Sequence, residues 1–370
     1  YLGIFKRGSS MPYSKTSKFE RELFSEFMRR LTNVVPSVEV LERELMRFSS
    51  SIELSRSELN QVLYSLERVY YILLLMRELQ EYFKDKIQFG GGVVLNYIFM
   101  LRIDVPRFTF DLDSSWNLRV NSKRSVLGEI VSFNKYLAEK YSLCLPISSD
   151  KCVELMIVEY DIEKDYFPQI LSLRLPVITR WSGLEFYKYV KTNTSLELEY
   201  STLRKLRECF KNVLGVRDAK IDYIRFEITL KPIYPCVKLD VELPFNLGYA
   251  KLNITELEYQ LASKLVYKIG WDFREKLRDN LHDVLKAVLD MRLLNIASKY
   301  KFREYVEKLS SSIGFKIIDI RGNMKRNLVE LLRVGEEFWT GFHYILVRAK
   351  YRDISSLVRS IRRNLEESLL

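Results

Sequence analysis

A chain of 370 residues with 47% hydrophobic content carries enough apolar material for a large buried core and two or three structural units, which excludes a disordered polypeptide. Its 59 Lys plus Arg against 48 Asp plus Glu leave a formal charge of +11, a surplus that favours a polyanionic partner (nucleotide, RNA or an acidic protein) without choosing among them. Four scattered cysteines (Cys144, Cys152, Cys209 and Cys236), two histidines, no signal-peptide pattern and no apolar run longer than Tyr70 to Met76 argue against a structural zinc site and a membrane span; a soluble cytoplasmic protein is expected.

Residues 1–11 read as extraneous sequence and carry no weight here. From Lys18 to about Lys86 apolar residues recur at three and four, as in Leu63, Leu66, Val69, Tyr70, Leu73 and Leu74, which predicts two or three helices interrupted at Pro36 and Ser49-Ser50-Ser51. Gly90-Gly91-Gly92 follows, then an apolar helix from Val93 to Leu101 and a strand from Arg107 to Asp113. The middle, from Ser114 to Lys220, reads as mixed: a helix near Val126 to Lys140 and strands at Val153 to Val158 and Ile170 to Leu175. Two further strands, Tyr223 to Leu230 and Cys236 to Leu243, flank Lys231-Pro232 and Pro235 and read as a hairpin. Beyond Thr255 the pattern is helical, with breaks at Gly270, Gly314, Gly322 and Gly341.

In Arg107-Phe108-Thr109-Phe110-Asp111-Leu112-Asp113 polar and apolar residues alternate, so on a strand Arg107, Thr109, Asp111 and Asp113 share one face. Two carboxylates two residues apart stand roughly 6 to 7 Å from each other, a spacing suited to holding a hard cation; Mg²⁺, or Mn²⁺ in its place, suits such oxygen ligands and leaves room for water and phosphate. On the Cys236 to Leu243 strand Lys238, Asp240 and Glu242 share a face, which makes Asp240 the candidate third carboxylate, able to orient an attacking hydroxyl. Gly91 and Gly92 open a helix whose free N–H groups suit phosphate. Each signal alone also fits an ordinary amphipathic strand or a simple turn; the specific feature is the order of glycine pair, helix and acidic strand.

That order, with Phe89-Gly90-Gly91-Gly92-Val93-Val94-Leu95 and the strand quoted above, resembles the AbiEii-like toxins of the nucleotidyltransferase superfamily, found in type IV toxin–antitoxin systems. The resemblance spans roughly residues 65–297, with Val93 standing where the family often has Ser or Thr. It implies that Gly91 and Gly92 embrace the triphosphate, that Arg107 and Thr109 border the nucleotide, and that Asp111, Asp113 and Asp240 serve Mg²⁺. Leu261-Ala262-Ser263-Lys264-Leu265 resembles the family's helix with an inward lysine, so Lys264 would neutralise phosphate. Arg278-Asp279-Asn280-Leu281-His282-Asp283 resembles its R-D-x-x-D helix, so Asp283 would complete the polar site; on a helical wheel the same Asp283 also fits a solvated face.

These implications amount to an α+β fold, a nucleotidyltransferase mixed sheet flanked by helices, divided into an N-terminal helical extension (1–60), the core (61–250) and a helical C-terminal domain (251–370). The expected activity is metal-dependent transfer of NMP from an NTP to an acceptor hydroxyl, that of tRNA or another RNA, by a toxin or phage-defence protein opposed by an antitoxin. The alternatives are a nucleotide- or RNA-binding protein that has lost catalysis, and a transferase acting on a protein or small molecule. Downstream, Trp339, Phe342, His343 and Tyr344 precede Arg348, Lys350, Arg352, Arg359, Arg362 and Arg363, a mixture that fits either an RNA track or a solvated helix face.

Overall fold

The computed structural model describes residues 34, 36, 38–49, 52–117, 122–141, 143–146, 152–164, 166–178, 221–230, 234–273 and 276–369. The helices expected before Val34 and most of the middle segment after Ile178 lie outside the described residues.

Helix α1 (Val38–Ser49) leads to α2 (Arg56–Phe83), which starts at a capping box: Ser55 accepts the Glu58 N–H, and the Glu58 carboxylate accepts the Ser55 N–H in return. Tyr71 through Met76 are all buried, so at its centre this helix is covered on every side and forms the spine of the core. After it come β1 (Ile87–Gly90), one α turn (Gly91–Val93), a π-helical stretch (Val94–Phe99) and β2 (Asp111–Trp116). Helix α3 (Lys123–Tyr141), the small β3–β4 hairpin (Leu143–Pro146, Cys152–Leu155), β5 (Glu159–Tyr160), β6 (Ile170–Ile178) and β7 (Ile221–Thr229) follow. Then β8 (Cys236–Leu243) and β9 (Gly248–Thr255) lead into α4 (Leu257–Lys264), α5 (Leu277–Asp290), α6 (Lys299–Ser312), α7 (Ile317–Trp339), α8 (Ile345–Lys350) and α9 (Ile354–Ser368).

The result is an α+β fold with a mixed seven-stranded sheet in the order β5-β6-β7-β2-β1-β9-β8, flanked by helices. β2 pairs antiparallel with β1 and parallel with β7, whereas β1 pairs parallel with β9. Three expectations change. β7 and β8 do not form a hairpin: β8 pairs with β9 through a turn containing Phe245 and Asn246, both at positive φ, and three strands separate β8 from β7. The acidic strand begins at Asp111 rather than Arg107, because the preceding backbone finds its partners off the sheet. The Arg107 N–H donates to Asn96 Oδ1, the Phe108 N–H to the His343 carbonyl and the Thr109 N–H to the Tyr97 hydroxyl. Gly322 interrupts nothing and lies inside α7.

The C-terminal helices are tied to the loop before β2 through the half-buried Asp104. Its carboxylate accepts from Arg292, Lys350 and Tyr351, each at 2.6 Å. No helix among the described residues is long and apolar enough to cross a membrane.

Candidate active site

β2 alternates as its sequence requires. Leu112 and Trp116 are buried on the α2 side, where Trp116 meets Phe83, while Asp111 and Asp113 open to solvent on the other face. Register decides which groups join them. Asp113 stands opposite Gly90 on one side and Glu227 on the other, and Asp111 stands opposite Arg225. Glu227 therefore shares the acidic face from the adjacent strand. Asp240, the carboxylate expected third, lies on edge strand β8 opposite Lys251, with β1 and β9 between it and β2. The structure does not bring it to Asp111 and Asp113.

Asp113 is accessible yet closely surrounded by protein, as a group on the floor of a cleft is. Burial raises its pKa; Lys264 offsets part of the rise, Asp111 and Glu227 add to it, and the result is about 6. Glu227 is raised as well, by burial first and by Asp111 next. Negative charge is thus concentrated beyond what nearby cations neutralise. Among the described residues no group of three or more His, Cys, Asp and Glu is placed to hold a metal ion. The face instead offers carboxylates open on one side, an arrangement that fits Mg²⁺ better than a metal needing a complete protein shell.

The glycine turn closes against this face. Gly91 has φ +71°, and a Cβ built there would lie 1.8 Å from Asp113 Oδ2. Both the left-handed backbone and the contact admit only glycine. The next N–H, that of Gly92, donates to Asp113; a Cβ at Gly92 would stand 2.8 Å from Thr109 Oγ1 and 3.2 Å from Arg107 Nη2. Gly91, Gly92, Thr109 and Arg107 therefore meet in one place. Val93, where the family often carries a hydroxyl, points into the core and is fully buried.

Arg107 is committed to a partner that the sequence reading missed. Its Nε and Nη2 donate to Asp290 Oδ1 and Oδ2 at 3.0 and 2.9 Å, a bidentate pair with Asp290 wholly buried. Lys264 Nζ lies 3.1 Å from the same Oδ2, and Asn96 Nδ2 donates both to Asp290 Oδ1 and to the Gly92 carbonyl. Burial opposes ionisation of Asp290, but Arg107 and then Lys264 outweigh it and hold its pKa at about 2. Burial also works against the Arg107 charge, and Asp290 more than restores it. The sequence did carry a signal: Asp290 sits in the apolar run Ala287-Val288-Leu289-Asp290-Met291, and a carboxylate on so apolar a helix end must find a buried cation.

Asp283, two turns earlier, is half-exposed and pairs with Lys268 at 3.1 Å and Lys286 at 3.3 Å. Burial raises its pKa, but the hydrogen bonds and charges of Lys268 and Lys286 together outweigh it and lower the value. Lys264 thus joins Asp290 and the neighbourhood of Asp113, whereas Asp283 belongs to a separate ion-pair group. Asn280 donates to the Lys276 carbonyl in its own helix.

The aromatic and basic C-terminal run is mostly consumed by packing. Trp339 and Tyr344 are buried and stack on each other; Arg348 donates to Glu58, Lys350 to Asp104 and Arg362 to Glu366. His343, its Nδ1 facing the Phe108 carbonyl at 3.0 Å, has a pKa lowered to about 4, chiefly by burial, and is neutral near pH 7.

No protein-family model and no curated relative matches the chain. Among solved structures it is similar to MenT4, a nucleotidyltransferase toxin from Mycobacterium tuberculosis H37Rv, at 12% identity over 86% of this chain and 98% of that one, with a TM-score of 0.39. A similarity that loose carries no argument here.

Two outcomes follow from this geometry. Asp290→Ala strands Arg107 as a buried, unpaired charge and is expected to cost about 3 to 5 kcal/mol, measured by chemical denaturation; a cost below about 1 kcal/mol would mean that the pair does not organise the site. Because the folded pKa of Asp113 lies above its ordinary value of 3.8, its contribution to stability is complete below that value and is lost as pH rises through about 6. Asp113→Asn should therefore raise Tm at pH 8 in the absence of divalent ions and leave it unchanged at pH 3.5.

Proposed function

We propose that this protein is a divalent-metal-dependent nucleotidyltransferase that transfers NMP from an NTP to an acceptor hydroxyl. The observation that carries the reading is the contact of the Asp113 carboxylate with a side-chain-free Gly91, beside Asp111 and Glu227 on the same face. Such a turn leaves room for a triphosphate to approach the backbone next to the carboxylates. Asp111 and Asp113 would hold Mg²⁺, which supplies Lewis-acid stabilisation of charge on the phosphate oxygens.

The remaining work falls to the chain's own groups. Lys264, near both Asp290 and Asp113, places positive charge where the phosphates would lie. Asp290 keeps Arg107 fixed against Gly92, so Arg107 shapes the turn. In the reaction the acceptor oxygen bonds to the α-phosphorus, the bond to the bridging oxygen breaks, and pyrophosphate departs. Glu227 is placed to accept the hydroxyl proton, and its raised pKa makes it a better base than an ordinary exposed carboxylate.

The acceptor reading is RNA, with tRNA first, supported by the +11 charge and by the AbiEii-like motifs of the sequence. The toxin role and an opposing antitoxin rest on the same motifs. Purified protein incubated with each α-labelled NTP, Mg²⁺ and total RNA is expected to label RNA and release pyrophosphate. Asp111→Ala and Gly91→Ala should abolish labelling, and Glu227→Gln should lower its rate by about 100-fold or more, while Asp240→Asn leaves it near wild type. Loss of activity in Asp240→Asn with full activity in Glu227→Gln would return the third-carboxylate role to β8; absence of NTP binding with Mg²⁺ present would sink the enzyme reading. Growth arrest on expression, prevented by Asp111→Ala, tests the toxin role.

A further inference from the structure

At the opposite end of β1 from the glycine turn lies a cavity of about 390 Å³, bounded by the C-terminus of α2 and by strands β8 and β9. Its lining includes Lys84, Lys238, Lys251 and Tyr249, with Asp85 and Glu81 among them. Both acids are already neutralised: Asp85 pairs with Lys238 at 2.8 Å and Glu81 with Lys140 at 3.3 Å. Lys84 and Lys251 have no ion-pair partner among the described residues. The wall therefore presents the Lys84 ammonium, together with Lys251, which stands opposite Asp240 on β8 and acts on Asp85 at longer range.

The backbone is built to place one of them. Lys84 has φ 51° and ψ −120°, a conformation that residues with a side chain avoid. Two buried amides impose it: the Lys84 carbonyl accepts from Gln80 Nε2 at 2.7 Å and from Asn253 Nδ2 at 2.9 Å, and the Asn253 N–H donates to Gln80 Oε1 at 2.7 Å. Glycine would relieve that position, and a lysine stands there instead. A strained backbone held by a satisfied buried network, carrying a charge to the edge of a cavity, is an arrangement associated with ligand sites.

We propose that this cavity binds the phosphate of a nucleotide unit, either within a single RNA strand or in a free nucleotide. Two lysines outside any close ion pair suit a phosphate oxyanion, the volume suits a small ligand, and Tyr249, 80% exposed at the edge, offers a ring for a base. The pocket is linked to the catalytic cleft by one face of β9, along which Lys251, Asn253 and Thr255 alternate; Thr255 Oγ1 would lie 3.2 Å from a Cβ at Gly90. The proposal does not depend on the transfer reaction.

The test measures binding of a fluorescein-labelled single-stranded hexaribonucleotide by full-length protein against salt concentration, with Lys84→Gly, Lys251→Gln and the double variant. Each single change is expected to weaken binding about tenfold and to reduce the log–log salt slope by about 0.7. Lys84→Gly should keep or raise Tm, so weaker binding cannot be attributed to unfolding. Competition by inorganic phosphate and a nucleoside monophosphate at concentrations matching the RNA phosphate assigns the site to free nucleotide; competition by RNA alone assigns it to a strand. Unchanged affinity and slope in the double variant, or equal competition by a polyglutamate peptide, would overturn the proposal. RNA binding that depends on Lys84 and Lys251, with no NMP transfer in any preparation, would leave this site standing and remove the catalytic reading.

Discussion

The buried carboxylate of Asp290 is the point on which the candidate site depends. It receives Arg107 from the lead-in to β2, Lys264 from the end of α4 and Asn96 from the π-helical stretch, while itself ending α5. Asn96 passes the constraint on through the Gly92 carbonyl and the Arg107 N–H. One anion thus fixes the distance between the glycine turn, the acidic strand and two helices. A buried ion pair is weak evidence for net stability, because two desolvated charges gain little over apolar packing. Its value here is geometric: removing any partner leaves a charge the interior cannot solvate, so the alternative arrangements are costly.

The same physics separates two aspartates only a short distance apart in the fold. Asp290, enclosed by cations and an amide, is held ionised with a pKa of about 2 and has no lone pair to spare for a ligand. Asp113, on the cleft floor with Asp111 and Glu227 beside it and Lys264 as its main relief, is held at about 6. One carboxylate is satisfied by the protein, and the other is left in deficit. Lys264 links the two, so the cation that helps fix the scaffold also tempers the charge of the cleft.

How far the sequence could be read follows from what each pattern encodes. Period-two alternation in Phe108 to Asp113 reports which residues share a face, and it placed Asp111 and Asp113 together; a glycine pair before an apolar helix reported the turn. Alternation carries no information about strand order. Glu227 and Asp240 both sit on alternating strands with an acidic face, and only the parallel pairing of β2 with β7 distinguishes them. The short Lys231–Pro235 connection favoured a local hairpin, whereas β8 found its partner in β9 through a turn with Phe245 and Asn246 at positive φ; Pro244, Asn246 and Gly248 signal a turn but not which strands it joins. Asp283 was legible as polar and Asp290 went unremarked, because recognising its role requires knowing which helix end reaches Arg107.

β1 explains why two such different sites lie so close in sequence. It has four residues, and both its flanks carry backbone that an ordinary side chain resists: Lys84 before it, forced by Gln80 and Asn253, and Gly91 after it, required by Asp113. Short strands are positioned by what holds their ends, and here both ends are held by buried polar groups. At Gly91 the chain removes a side chain so that a carboxylate and a backbone can touch. At Lys84 it retains one at conformational cost, and the Gln80 and Asn253 amides hold the backbone there.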